Sequence, residues 1–221
     1  MRVTQQPAKR GSQKWMQDLV DRHPGSLDGQ LRASGALTGG SSLTWRSPLK
    51  GDDWAEYRDE DFLNCLGLKG LSTDLAAYWP RRGPQWDALA TGADGRVFLV
   101  EAKAHAHELE SHCQALPESR NVIADALNRT KKYLGVSPEA DWLTGYYQYA
   151  NRLAHLQFLR NKGVDAWLIF LYFTSADDVN GPASAEEWRS YQQSLYRHLG
   201  LWNAKAIPGV VNAYVDVQSL R

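Results

Sequence analysis

Apolar positions along the chain change period several times, and each change marks an element. Val97, Phe98, Leu99 and Val100 follow one another without a polar break, and residues 165–175, "DAWLIFLYFTS", extend the same pattern. Unbroken runs of this kind predict strands covered on both faces. Before Val97, in "PQWDALATGADGRVFLV", a second strand-like run precedes "TGADG". Asp94-Gly95 tolerates the positive φ of a tight turn, so the two runs form a hairpin. Residues 209–220 alternate apolar and polar positions and predict a last strand, and "DLAAYWP" (74–80) a short one.

Helical periods fall between these runs. One helix is expected over 12–23, with Ser12 as N-cap and Pro24-Gly25 as its stop. A second covers 52–68, where Asp52 or Asp53 caps a turn rich in acids. Residues from about 107 to 134 and from 139 to 163 read as helices, the latter long and ended by Gly163. Residues 184–200 form another, opened by a capping box in which Ser184 precedes Glu187 by three. Residues 24–53, rich in Gly and Ser, read as loops or extended pieces. The order helix, hairpin, two helices, strand, helix, strand is that of an α/β or α+β fold with a mixed central sheet. Residues 1–51 read as an N-terminal helix and extended segment, and 52–221 as the main body, together one compact unit.

Composition narrows the choice of function. The chain has 221 residues, 43% hydrophobic and 23% charged, which suits a globular protein. Its formal net charge is zero, so no global field draws it to a polyanion, and any such contact needs a local patch, a homodimer or a partner protein. Two cysteines, Cys65 and Cys113, form no CxxC pair and argue against disulfide, zinc-thiolate and iron–sulfur frameworks. His105, His107 and His112 beside Cys113 fit no standard zinc spacing. The first residues have no apolar core, and no apolar run is long enough to span a membrane, so a cytoplasmic setting is expected.

The chemistry concentrates in "RVFLVEAKAH" (96–105). Residues two apart on a strand share a face, so Glu101 and Lys103 point the same way at the end of a buried run. Asp87 and Glu101 lie at similar distances from the turn, so the two can be cross-strand neighbours or near-neighbours. Carboxylates about 4 Å apart repel by roughly 4 kcal/mol at an effective dielectric of 20. Something positive must sit between them, and a hard divalent cation with oxygen ligands does this well.

At these residues the chain resembles the PD-(D/E)XK, restriction-endonuclease-like nuclease superfamily. "PQWDALATGADGRVFLVEAK" looks like its motif, although Pro84 is not adjacent to Asp87. The element order over about 52–175 is similar to that superfamily's αβββαβ core. The resemblance implies that Asp87, Glu101 and the Ala102 carbonyl hold Mg2+ or Mn2+, and that Lys103 is the base or the group that orients the attacking water. It implies a metal-dependent nuclease acting on nucleic acid, DNA ahead of RNA. The alternative is an inactive relative that binds nucleic acid or assembles with partners. Such nucleases often add an acid from the first helix, where Glu56 is preferred over Glu60. On the long helix, Gln148, Asn151, Arg152 and His155 form a polar stripe between two apolar ones. Gln148 and Arg152 are similar in placement to a glutamine that approaches the site in the RecB-like branch. They are expected to face the carboxylates, with Arg152 presenting its fork to a phosphate oxygen. Arg81-Arg82 and Lys131-Lys132 are short basic pairs of the kind that touch phosphate or simply face solvent.

Overall fold

The computed structural model describes residues 1–202 and 207–221. In chain order the elements are β1 (Arg2–Val3), α1 (Gly11–Arg22), α2 (Asp28–Ala33), β2 (Thr44–Ser47), β3 (Glu56–Tyr57), α3 (Glu60–Cys65), α4 (Ser72–Tyr78), β4 (Ala88–Thr91) and β5 (Val97–Lys103). They continue with α5 (Pro117–Leu134), α6 (Tyr147–Asn161), β6 (Ala166–Thr174), α7 (Ala185–His198) and β7 (Val210–Asp216). The fold is mixed α/β. Five strands form one sheet in the order β2-β4-β5-β6-β7, while β1 and β3 pair separately. The sheet is antiparallel from β2 to β5 and parallel from β5 to β7. The long connection through α5 and α6 is what a parallel β5–β6 pair requires.

The central strands are apolar on both sides because both faces are covered. Val97 and Leu99 of β5 face one core with residues of α3 to α7, and Phe98, Val100 and Ala102 face another with α1 and α2. Residues 1–51 therefore supply β2 to the same sheet and the layer over its second face. The hairpin closes as its turn residues demand, with Gly95 at φ 84°. No helix among the described residues is long and apolar enough to cross a membrane.

Several elements differ from the sequence pattern. Residues 52–68 are not one helix: a 3-10 turn ends at Asp52, β3 follows, and only Glu60–Cys65 is α-helical. Asp53, Trp54 and Asp59 take positive φ, and Tyr57 pairs with Arg2, so long-range strand pairing breaks the helix. Residues 74–78 fall in α4 rather than a strand, with Trp79 as its C-cap, because Tyr78 stacks on Phe158 and Trp79 meets the His155 ring edge-on. The helix expected from 139 starts only at Tyr147, after a turn in which Asp141 accepts the N–H groups of Leu143 and Thr144. The helix expected from 107 starts at Pro117, after a 3-10 turn at Ala106–Leu109. Ser12 does not cap α1: Arg10 holds that position, and the Ser12 hydroxyl donates to Glu108 at 2.7 Å. Ser184 does cap α7, accepting the N–H of Glu187.

His155 locks α6 against α3 and α4. Its ring lies edge-on to Phe62, Tyr78, Trp79 and Trp86, and Nδ1–H donates to the Asn151 carbonyl at 2.9 Å. Burial pushes its pKa down to about 3 against the opposing pull of that hydrogen bond. A depressed histidine stabilises the fold above its unfolded pKa of about 6.5 and loses that contribution as pH falls toward 3. Urea unfolding at pH 7.5 and pH 5 should therefore show a drop in stability that His155→Phe removes. An equal drop in the variant would place the acid sensitivity elsewhere.

Candidate active site

The cavity that holds the candidate residues has a volume of about 770 Å³. Its floor is the junction of β4 and β5, and its wall is the first half of α6. Register puts Asp87 one step before Ala88, which pairs with Val100, so Asp87 and Glu101 stand opposite one another. The Asp87 carboxylate accepts the backbone N–H of Ala102 at 2.7 Å. Ala102 and Asp87 both line the cavity, together with Glu56, Glu101 and Lys103.

Glu101 is 2% exposed and is held by two cations. Lys103 Nζ donates to Oε1 at 2.6 Å, and Arg152 Nε and Nη2 approach Oε2, each at 2.6 Å. Arg152 is fixed further by the Gln85 carbonyl and the Asn151 side chain, both at 2.8 Å, and it lies over the Trp86 ring. Gln148 Oε1 accepts from Lys103 Nζ at 3.1 Å. Of the polar stripe on α6, Arg152 thus meets Glu101 and Gln148 meets Lys103, while Asn151 braces Arg152 and His155 packs among aromatic rings. The rotation of α6 is set by Tyr149, whose ring stacks on Phe170 of β6 with centroids 3.9 Å apart. Arg152, however, does not offer its fork to the cavity: all three guanidinium nitrogens are already bonded within the protein.

Charge decides the state of each group. Burial alone would raise the Glu101 pKa, but Arg152 and Lys103 overcome it and hold the carboxylate ionised. Burial alone would lower the Lys103 pKa, but Glu101 and Asp87 more than offset it and hold the ammonium protonated. In this arrangement Lys103 can orient a water but has no free electron pair with which to deprotonate one. Asp87 is pushed well above the usual carboxylate range, by burial first and then by the Glu101 charge.

Glu56 reaches the cavity from β3, not from a helix, and burial raises its pKa too. Its oxygens accept amide N–H groups from Gln5 at 3.4 Å, Gln13 at 3.2 Å and Gln85 at 2.5 Å. Glu60 lines a neighbouring pocket instead, on the first turn of α3. Sequence reasoning missed these glutamines. Gln85 carried a signal, since it lies two residues before Asp87 on an extended stretch. Gln5 comes from the segment between β1 and α1 and Gln13 from α1, with nothing local to mark them.

Four carboxylates and four cations line the cavity, but at its floor Glu56, Asp87 and Glu101 meet only Lys103 and Arg152, so the floor carries excess negative charge when all are ionised. The donors are hard oxygens: Asp87, Glu101 and the backbone at Ala102. Magnesium commonly takes only one or two carboxylates and keeps several waters, so this set fits it. Among the described residues no group of three or more His, Cys, Asp or Glu forms a ready metal cage, so Glu56 is not a third ligand as it stands. His105 and His107 stack on each other, His112 accepts from the Gly145 N–H, and Cys113 is buried. Lys131 donates to the carbonyls of Pro138 and Ala140, a purely internal role. Comparison with protein families, with curated proteins and with solved structures finds no match to this chain.

The two facing acids should respond oppositely to neutralisation. Glu101→Gln leaves Arg152 and Lys103 buried without a countercharge and should cost about 3–5 kcal/mol. Asp87→Asn keeps the hydrogen bond from Ala102 and removes a repelled charge, so it should raise the melting temperature at pH 8 without divalent cations. Calorimetric melts of both variants check this. A loss at Asp87 equal to that at Glu101 would contradict the charge assignment.

Proposed function

We propose that the protein is a metal-dependent phosphodiesterase acting on nucleic acid, DNA ahead of RNA, on a restriction-endonuclease-like core. The observation that carries this reading is the convergence of Asp87, Glu101 and Lys103 at the cavity floor. The antiparallel β4–β5 pair and the parallel β5–β6 pair support the assignment of the core. Mg2+ or Mn2+ held by Asp87, Glu101 and the Ala102 carbonyl would polarise the scissile phosphate and acidify water.

The protein's own groups then have distinct tasks. Lys103, kept protonated, orients the attacking water and stabilises charge on the phosphate. Gln148 fixes the Lys103 ammonium. Arg152 is a positioning residue that holds Glu101 against β4. Glu56, at raised pKa, is placed to take or give a proton. A second reading has its own support: the Glu101 ion pairs satisfy that carboxylate without a metal, as an inactive, nucleic-acid-binding relative would also allow. The cytoplasmic setting belongs to the same proposal, and both cysteines are free.

Cleavage of labelled DNA and RNA with Mg2+ or Mn2+, and none with a chelator, is the expected result. Asp87→Ala and Glu101→Ala should each abolish it. Titration calorimetry should show metal binding to the wild type and not to Asp87→Ala. A folded wild type that binds nucleic acid but never cleaves it would favour the inactive reading.

A further inference from the structure

The loop 80–84, "PRRGP", leads directly into Asp87 and forms part of the cavity wall. Arg81 and Arg82 are exposed on it. Among the described residues neither side chain makes an ion pair or a hydrogen bond. The two basic groups deeper in the cavity, Lys103 and Arg152, are both bound to Glu101. The loop nonetheless has a fixed backbone. Asp59 accepts the N–H of Arg82 at 3.3 Å and of Gly83 at 2.9 Å. Arg82 takes φ 66° and Asp59 φ 53°, conformations that cost energy for residues with a side chain. A Cβ on Gly83 would meet Trp79 at 3.2 Å and Asp59 at 3.4 Å, so a side chain there would require Trp79 to give by a few tenths of an ångström. Gln85, at its end, ties the loop to Arg152 through its carbonyl and to Glu56 through its amide.

A strained, pinned loop that presents two unpaired guanidinium groups above an acidic floor is placed to receive an anionic partner. We propose that Arg81 and Arg82 form a phosphate-binding rim for the nucleic-acid strand that enters the cavity; this rests on the reading above. A small free anion would face Glu56, Asp87 and Glu101 alone. A phosphodiester strand instead spans the site, with its phosphates on the rim and one bond over the floor. Arg82 is five residues from Asp87, at most about 17 Å along the chain, so the rim contacts lie close to the reacting phosphate. The rim also supplies the local positive patch that zero net charge otherwise denies the molecule. Its contacts are to backbone phosphate and carry no sequence preference.

The test is fluorescence anisotropy of a labelled duplex and of its single strand, in chelator, between about 50 and 200 mM salt. Wild type is compared with Arg81→Gln, Arg82→Gln, the double variant, and Lys132→Gln on the exposed side of α5. The double variant should melt with the wild type, bind about tenfold more weakly and lose about one unit of salt slope per arginine. Lys132→Gln should match the wild type. Unchanged affinity and slope in the double variant, or an equal loss in Lys132→Gln, overturns the rim. If the wild type cleaves in magnesium while the double variant binds normally, the rim fails and the nuclease reading stands. If the wild type binds without cleaving and the double variant loses binding, the nuclease reading fails and the rim stands. A wild type that binds no nucleic acid overturns both.

Discussion

A carboxylate buried on the central strand of a sheet cannot stand alone, and Glu101 is held by Arg152 on one oxygen and Lys103 on the other. Removing either cation would leave one Glu101 oxygen without its close partner in a low-dielectric interior. That requirement reaches well beyond the site. Arg152 must lie on the inner face of α6, so α6 can take only one rotation, and Tyr149 and His155 then fall on Phe170 and the Trp79–Trp86 cluster. The Gln85 carbonyl that receives Arg152 fixes the chain just before Asp87. One ion-paired carboxylate thus positions the helix, the loop and the second acid.

The same arrangement is incomplete. Arg152 and Lys103 satisfy Glu101, while Asp87 faces it with only a backbone N–H as a close partner. Glu56 has three glutamine amides and no cation. When Glu56, Asp87 and Glu101 are all ionised, the excess negative charge lies at the floor of a cavity. In a core selected for stability alone, Asp87 would be a poor choice, since a neutral side chain could accept the same hydrogen bond. Under the proposed function, the divalent cation would relieve that repulsion.

Parts of this were legible in the sequence for a physical reason. β5 and β6 announce themselves because both faces are covered, and Asp94-Gly95 fixes the hairpin register that sets Asp87 opposite Glu101. The polar stripe of α6 could be read because a buried helix has to give a reason for each polar position. Other parts depended on contacts distant in sequence. Nothing local in 52–68 reveals that Tyr57 pairs with Arg2 or that Asp59 turns to hold the 80–84 loop. Tyr78 and Trp79 look like strand residues until Phe158 and His155 are packed against them. The direction of the Arg152 fork was likewise hidden, since the stripe gives the face of the helix but not the partner that reaches the guanidinium first.

The most direct measurement is a crystal structure of the protein soaked in manganese, with anomalous differences recorded at the metal edge. A single strong peak between Asp87 and Glu101, with Lys103 drawn away from Glu101 Oε1 toward the cavity, is the expected outcome. No peak there at saturating manganese, with the Lys103–Glu101–Arg152 ion pairs intact, would contradict the assignment of this cavity as a metal-dependent active site.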